Sequence, residues 1–141
     1  MSRPRKIRQV QFPPRFNSFK PCGIPNRELT EIELTLDEYE ALRLVDEQQL
    51  DHETTAEIME VSRPTVTRLV EKARHKVAQM LVRGGLLVIQ GGDYQLNGHL
   101  YRCPRCRNFQ ERLQKVGVSN HPCPQCNESN LVEISLPEAR S

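Results

Sequence analysis

The chain has 141 residues, 37% of them hydrophobic, and carries 20 Lys and Arg against 18 Asp and Glu for a formal net charge of +2. That length allows one modest core and a small appendix, not a large catalytic cleft. No apolar run reaches the roughly 20 residues of a membrane-spanning helix, and no apolar stretch with a small-residue cleavage site follows the basic N-terminus, so the chain is expected in the cytoplasm.

The small net charge hides strong segregation along the chain. Residues 1–27 hold Arg3, Arg5, Lys6, Arg8, Arg15, Lys20 and Arg27 with no acidic residue, a net of +7. Such an arm is either a solubilising terminus or a segment that enters a nucleic-acid groove, with Arg3, Arg5, Lys6 and Arg8 as the groove candidates. Cys22, in the turn-rich Lys20-Pro21-Cys22-Gly23-Ile24-Pro25, reads as a small packed side chain and receives no role.

Residues 28–60 reverse the sign, with twelve carboxylates against Arg43 alone, a net of −11. This stretch could turn away from DNA, limit promiscuous binding or meet a basic protein. Within it Thr35-Leu36-Asp37-Glu38 is a capping box that opens a helix through Tyr39, Leu42 and Val45. That helix is expected to support the pair that follows.

From Asp51 to Leu81 the pattern is two helices joined by the turn Glu60-Val61-Ser62. Asp51 is placed to cap the first helix, and Ala56 is small enough to let the two helices approach. Ser62 is placed to cap the second helix, and Pro64 suits its first turn, where a missing N–H costs nothing. Val66, Leu69, Val70, Ala73, Val77 and Met80 then form one apolar stripe. Opposite lie Arg63, Thr65, Thr67, Arg68, Lys72 and Lys76. Short hydrogen-bonding groups near the helix start and long cations further along are what a major-groove helix uses to read bases and hold phosphates. Ser62 joins them as a contact at the turn. The simpler alternative is a helical hairpin with a solvated charged face.

Leu86 to Gln90 is an apolar strand candidate, Gly91-Gly92-Asp93 a turn and Tyr94 to Leu96 a returning strand, with Asn97-Gly98 a second turn signal. A hairpin here would pack, lead into the next module, or touch the DNA backbone as a wing; packing is the expectation. Leu131 to Leu136 is the last strand candidate.

Cys103-Pro104-Arg105-Cys106 and Cys123-Pro124-Gln125-Cys126 are two C-P-x-C knuckles sixteen residues apart. Two residues between cysteines let a tight turn aim both sulfurs at one ion, and two such turns complete a tetrahedron. With Cys103, Cys106, Cys123 and Cys126 filling all four positions, the expected cofactor is one structural Zn2+, with iron of the rubredoxin kind left open. Disulfides fit poorly in a reducing cytosol. His99 and His121 lie beside the knuckles and are not needed as ligands.

The sequence resembles the small prokaryotic proteins of domain-of-unknown-function family one-three-four, whose helix-turn-helix is like region four of sigma factors. The residues that carry the resemblance are Arg3-Pro4-Arg5-Lys6, Phe19-Lys20-Pro21 through Gly23-Ile24-Pro25, Leu34 with Asp37-Glu38, Glu40-Ala41-Leu42-Arg43-Leu44, and Val61-Ser62-Arg63-Pro64-Thr65. They span roughly the first ninety residues. The resemblance implies a DNA-binding helix-turn-helix protein acting as a transcriptional regulator. Two positions depart from the family pattern: Glu60 stands where glycine is usual, and Cys22 where a small residue is. Only some members carry the cysteine ribbon, so its reading rests on spacing.

The expected architecture is mainly α: a basic arm over 1–27, a three-helix helix-turn-helix domain over 28–90, a small β zinc ribbon over 91–136 and a tail over 137–141. Its expected partner is double-stranded DNA, bound by a homodimer because a single three-helix unit usually needs a second half-site. The alternative is an interaction module that docks on RNA polymerase, another transcription protein or RNA without reading sequence. No enzyme is expected, since no nucleophile with a positioned base, phosphate loop or open metal site is visible.

Overall fold

The computed structural model describes residues 7–113 and 122–135. Among them are eight strands in three sheets and three α-helices, so the mainly-α expectation is corrected. The described residues divide into two compact units, one drawn from 7–10 and 16–95, the other from 11–15, 96–113 and 122–135.

The helices of the first unit start where the local chemistry dictates. Helix α1 (Leu36–Leu42) is capped by Thr35, whose Oγ1 accepts from the Glu38 N–H while Glu38 Oε1 accepts from the Thr35 N–H at 2.9 Å. It runs on into a π-helical turn, Arg43–Glu47. Asp51 caps α2 (His52–Met59) by accepting from the Thr54 N–H at 2.7 Å. Ser62 caps α3 (Arg63–Arg83), with Pro64 in its first turn.

Between α2 and α3, Glu60 adopts a left-handed conformation, φ +56°, and the Val61 N–H donates to the Ala56 carbonyl at 3.0 Å. That bond satisfies an orphan carbonyl of α2, which is why the turn tolerates a side chain where glycine would cost less. Ala41, Leu44, Ala56, Met59, Val66, Leu69 and Val70 form the core beneath, with Val61 packed against it. The stripe foreseen on α3 is buried from Val66 to Ala73 and only half-buried at Val77 and Met80.

These helices lie between two parallel strands, β3 (Glu31–Leu34) and β4 (Leu86–Ile89), which pair with Leu34 opposite Ile89. Parallel strands need a long crossover, and residues 35–85 supply it. Strand β2 (Ser18–Phe19) adds to the other side of β4, antiparallel, which makes β4 central and accounts for its unbroken Leu-Leu-Val-Ile run. Strand β5 (Tyr94–Leu96) pairs with β1 (Arg8–Val10) instead of returning on β4. The hairpin expected over 86–96 is therefore absent, and with it the wing. Residues 91–93 carry the chain from one sheet to another.

The second unit is a three-stranded antiparallel sheet in the order β7-β6-β8, formed by β6 (His99–Arg102), β7 (Phe109–Arg112) and β8 (Val132–Ile134). Its buried cluster is Tyr101, Cys103, Cys123 and Leu131.

Candidate metal centre and nucleic-acid interface

Both knuckles are built alike. The Arg107 N–H donates to the Cys103 carbonyl at 2.9 Å and the Cys103 N–H to Asn108 O at 3.0 Å; the Asn127 N–H donates to the Cys123 carbonyl at 2.8 Å and the Cys123 N–H to Glu128 O at 2.9 Å. Arg107 and Asn127, each directly after the second cysteine of its knuckle, are left-handed at φ +64° and +63°. These turns bring Cys103 and Cys126 sulfurs to 3.4 Å and Cys106 and Cys123 sulfurs to 3.5 Å, with all four within 4.8 Å of one another.

A tetrahedral ion with metal–sulfur bonds of about 2.3 Å requires sulfur–sulfur edges of about 3.8 Å, so the four residues fit such an ion. The ionisation of the cluster agrees. The backbone N–H of Cys106 draws the Cys103 thiol down to about 6. At Cys126 the N–H of Glu128 favours the thiolate, but burial and the neighbouring sulfurs outweigh it and hold the thiol up at about 12. A first thiolate thus makes the next ones costly, and a cation among the sulfurs removes that cost. His99 is not a ligand; its Nδ1 lies 2.8 Å from Glu133 Oε1. His121 lies outside the described residues.

The cations and hydroxyls assigned to DNA sort into three groups. Arg3, Arg5 and Lys6 lie outside the described residues. Arg8 and Lys76 are committed inside the unit: Arg8 Nη1 donates to Asp37 Oδ2 at 2.5 Å, and Lys76 Nζ to Glu38 Oε1 at 2.6 Å. Both carboxylates are almost fully buried, with only 4% of each side chain exposed. Thr67 is engaged as well, its hydroxyl 2.8 Å from His52 Nδ1 of α2. The third group, Ser62, Arg63, Arg68 and Lys72, is exposed on the first turns of α3. Thr65, half-buried, holds the Ser62 hydroxyl at 2.8 Å and accepts from Arg68 Nη2 at 3.3 Å.

A cleft of about 280 Å³ runs beside this face, lined by Thr65, Arg68, Lys72 and Lys76 of α3 together with Arg8, Asp37 and Glu38. The loop at Gly92 closes on Asp37, since a Cβ there would stand 2.6 Å from Asp37 Oδ1. Sequence reasoning missed Asp37 and Glu38 as partners. They lie 29 and 38 residues from Arg8 and Lys76, and no local pattern marks such a pairing.

The family model described as "Protein of unknown function DUF134" matches residues 1–97. The chain belongs to this family. A UPF0251 protein of Chloroherpeton thalassium is 42% identical over 136 residues, covering 96% of this chain and 89% of its own. A UPF0251 protein of Halothermothrix orenii is 41% identical over 138 residues, covering 94% of this chain and 100% of its own, and one of Moorella thermoacetica is 42% identical over 131 residues. These alignments extend well beyond the DUF134 match into the cysteine unit. No solved structure is significantly similar to the chain. Among its described residues no helix is long and apolar enough to cross a membrane.

Removing the amine of Lys76 strands the buried Glu38 carboxylate, and the loss of one partner of a buried pair costs about 3–5 kcal/mol. Partial exposure of Lys76 places Lys76→Gln at about 2–3 kcal/mol, whereas Lys72→Gln is expected to cost less than about 0.5 kcal/mol. Urea unfolding followed by helix circular dichroism measures both. Equal stabilities for the two variants would contradict the assignment of Lys76 to Glu38.

Proposed function

We propose that this chain is a DNA-binding transcriptional regulator that lays the start of α3 in a major groove and keeps its second unit folded around one structural zinc. The observation that carries the reading is the sorting of α3: Ser62, Arg63, Arg68 and Lys72 stay on the exposed face, while Lys76 is spent on Glu38. An exposed helix start with a capping hydroxyl and cations one and two turns on suits base edges and flanking phosphates. Thr65, held between Ser62 and Arg68, supports that face. Thr67 serves less as a base reader than as the link that sets α2 against α3. Arg3, Arg5 and Lys6 remain candidates for an adjacent groove.

One such helix start offers few base contacts, so the proposed binding form is a homodimer on a two-fold site. The second reading, docking on RNA polymerase or another transcription protein, draws on the outer face of α2, where Glu53, Glu57 and Glu60 are all exposed. Three carboxylates there would repel phosphate and attract a basic protein.

If α3 holds DNA, Lys72→Gln and Arg68→Gln each weaken duplex binding across sequences and lower the slope of log affinity against log salt by about one. Lys76→Gln leaves that slope unchanged. Fluorescence anisotropy over a salt series separates the cases, and unchanged slopes for Lys72→Gln and Arg68→Gln would remove α3 as the phosphate-holding element.

Zinc is proposed because four thiolates with no open position provide a structural site that needs no redox change. Elemental analysis of the purified protein is expected to find one zinc per chain. Iron in its place, with the visible colour of a ferric tetrathiolate, would overturn the assignment.

A further inference from the structure

We propose that the second unit carries a separate site for single-stranded nucleic acid on one face of its sheet. Residues paired across the strands share a face, and Arg102 stands opposite Phe109 on one side and Val132 on the other. Both Arg15 and Arg102 place their guanidinium carbons 5.2 Å from the centroid of the Phe109 ring. Beside them a groove of about 410 Å³ is lined by Arg102, Cys103, Pro104, Arg107, Val132 and Ile134.

Its chemistry is selective. Among the described residues the groove has two guanidinium groups, a floor of Pro104, Val132 and Ile134, and no carboxylate in its lining. Val132 is 56% exposed and adds accessible apolar surface beside the two guanidinium groups. A stacked guanidinium is held flat while its edge N–H groups remain able to meet phosphate oxygens, and an apolar floor takes the face of a base. Alternating anionic phosphates and flat rings are what a single strand presents and a duplex hides. Glu111 lies across the strands from Leu100 and is countered by Arg15 at 4.0 Å, so the negative charge of this face is partly cancelled. Recognition through phosphates and base faces makes no use of the sugar, so ribose and deoxyribose strands are equivalent occupants. This site does not depend on α3 and stands whether or not that helix reads a duplex.

The test uses the full-length, metal-loaded protein and a fluorescein-labelled oligouridylate of about twelve nucleotides, near the upper part of the span that one small sheet domain covers. Arg102→Gln combined with Arg107→Asn is expected to weaken oligouridylate binding about tenfold while duplex binding is retained. Asparagine also occupies the equivalent left-handed position, Asn127, in the second knuckle, so the backbone there is kept. Because Arg102 adjoins a ligand, metal content is measured for each variant, and Arg107→Asn alone, on the exposed turn, is run beside the pair; it should weaken binding about threefold. Arg68→Gln with Lys72→Gln in the first unit should leave oligouridylate affinity unchanged. No binding of oligouridylate, binding that the second-unit variants leave intact, or equal competition by polyglutamate, which would mark an acidic-peptide surface, overturns the proposal.

Discussion

A carboxylate removed from water needs a cation, hydrogen-bond donors or a proton, and helix α1 buries three such carboxylates. Asp37, Glu38 and Glu40 are 3%, 3% and 0% exposed, on one short helix whose N-terminal cap is itself built from Glu38. Each draws a different partner: Arg8 from β1, Lys76 from α3, and Arg43 from the π-helical turn that follows, at 2.6 Å. Leaving any of these acids unpaired would cost several kcal/mol, so the pairs constrain where β1 and α3 lie against α1. They also decide what α3 shows to solvent. Its fourth turn serves the fold through Lys76 and through Arg74, which grips the Asp46 carboxylate with two hydrogen bonds of 2.9 and 2.6 Å. Arg63, Arg68 and Lys72, nearer the helix start, are exposed. A count of positive charge along the helix overstates the surface that faces outward.

The second unit solves a different problem. Its sheet is too small to bury much apolar surface, and two of its four buried cluster residues, Cys103 and Cys123, are sulfur donors. Core and metal site are therefore one feature. Inside the first knuckle the Cys106 N–H points at the Cys103 sulfur at 3.5 Å and favours its thiolate, so the closed turn also prepares this sulfur for an ion. Four sulfurs within 4.8 Å of one another can fill the four positions of a tetrahedral ion.

What could be read from sequence follows the range of the interactions involved. Caps act over three residues, and Thr35, Asp51 and Ser62 were all legible because each lies next to the N–H it binds. The cysteine spacing was legible for the same reason, since a knuckle is a local turn. The sheets were not, because β3 and β4 lie more than fifty residues apart and β1 and β2 are only three and two residues long. One signal was overlooked: Glu31-Ile32-Glu33-Leu34 alternates charged and apolar residues, and the structure exposes both glutamates and buries Leu34. The expected hairpin at 86–96 failed for the complementary reason: a glycine turn indicates that the chain bends but not which strand it joins. Helical periodicity places Thr67 and Lys76 on α3, yet their partners His52 and Glu38 come from other helices and no periodicity reports them.

Whether the exposed start of α3 meets base edges is tested most directly by selection from a random duplex library. The zinc-loaded protein would be presented with the library at near-physiological salt in excess nonspecific competitor, and the retained pool sequenced. A reproducible motif with two-fold symmetry is the predicted result, and it would shift when Arg63 or Arg68 is replaced. Retention without an enriched motif would contradict base reading by α3 and leave it as a charged face that holds phosphates without reading sequence.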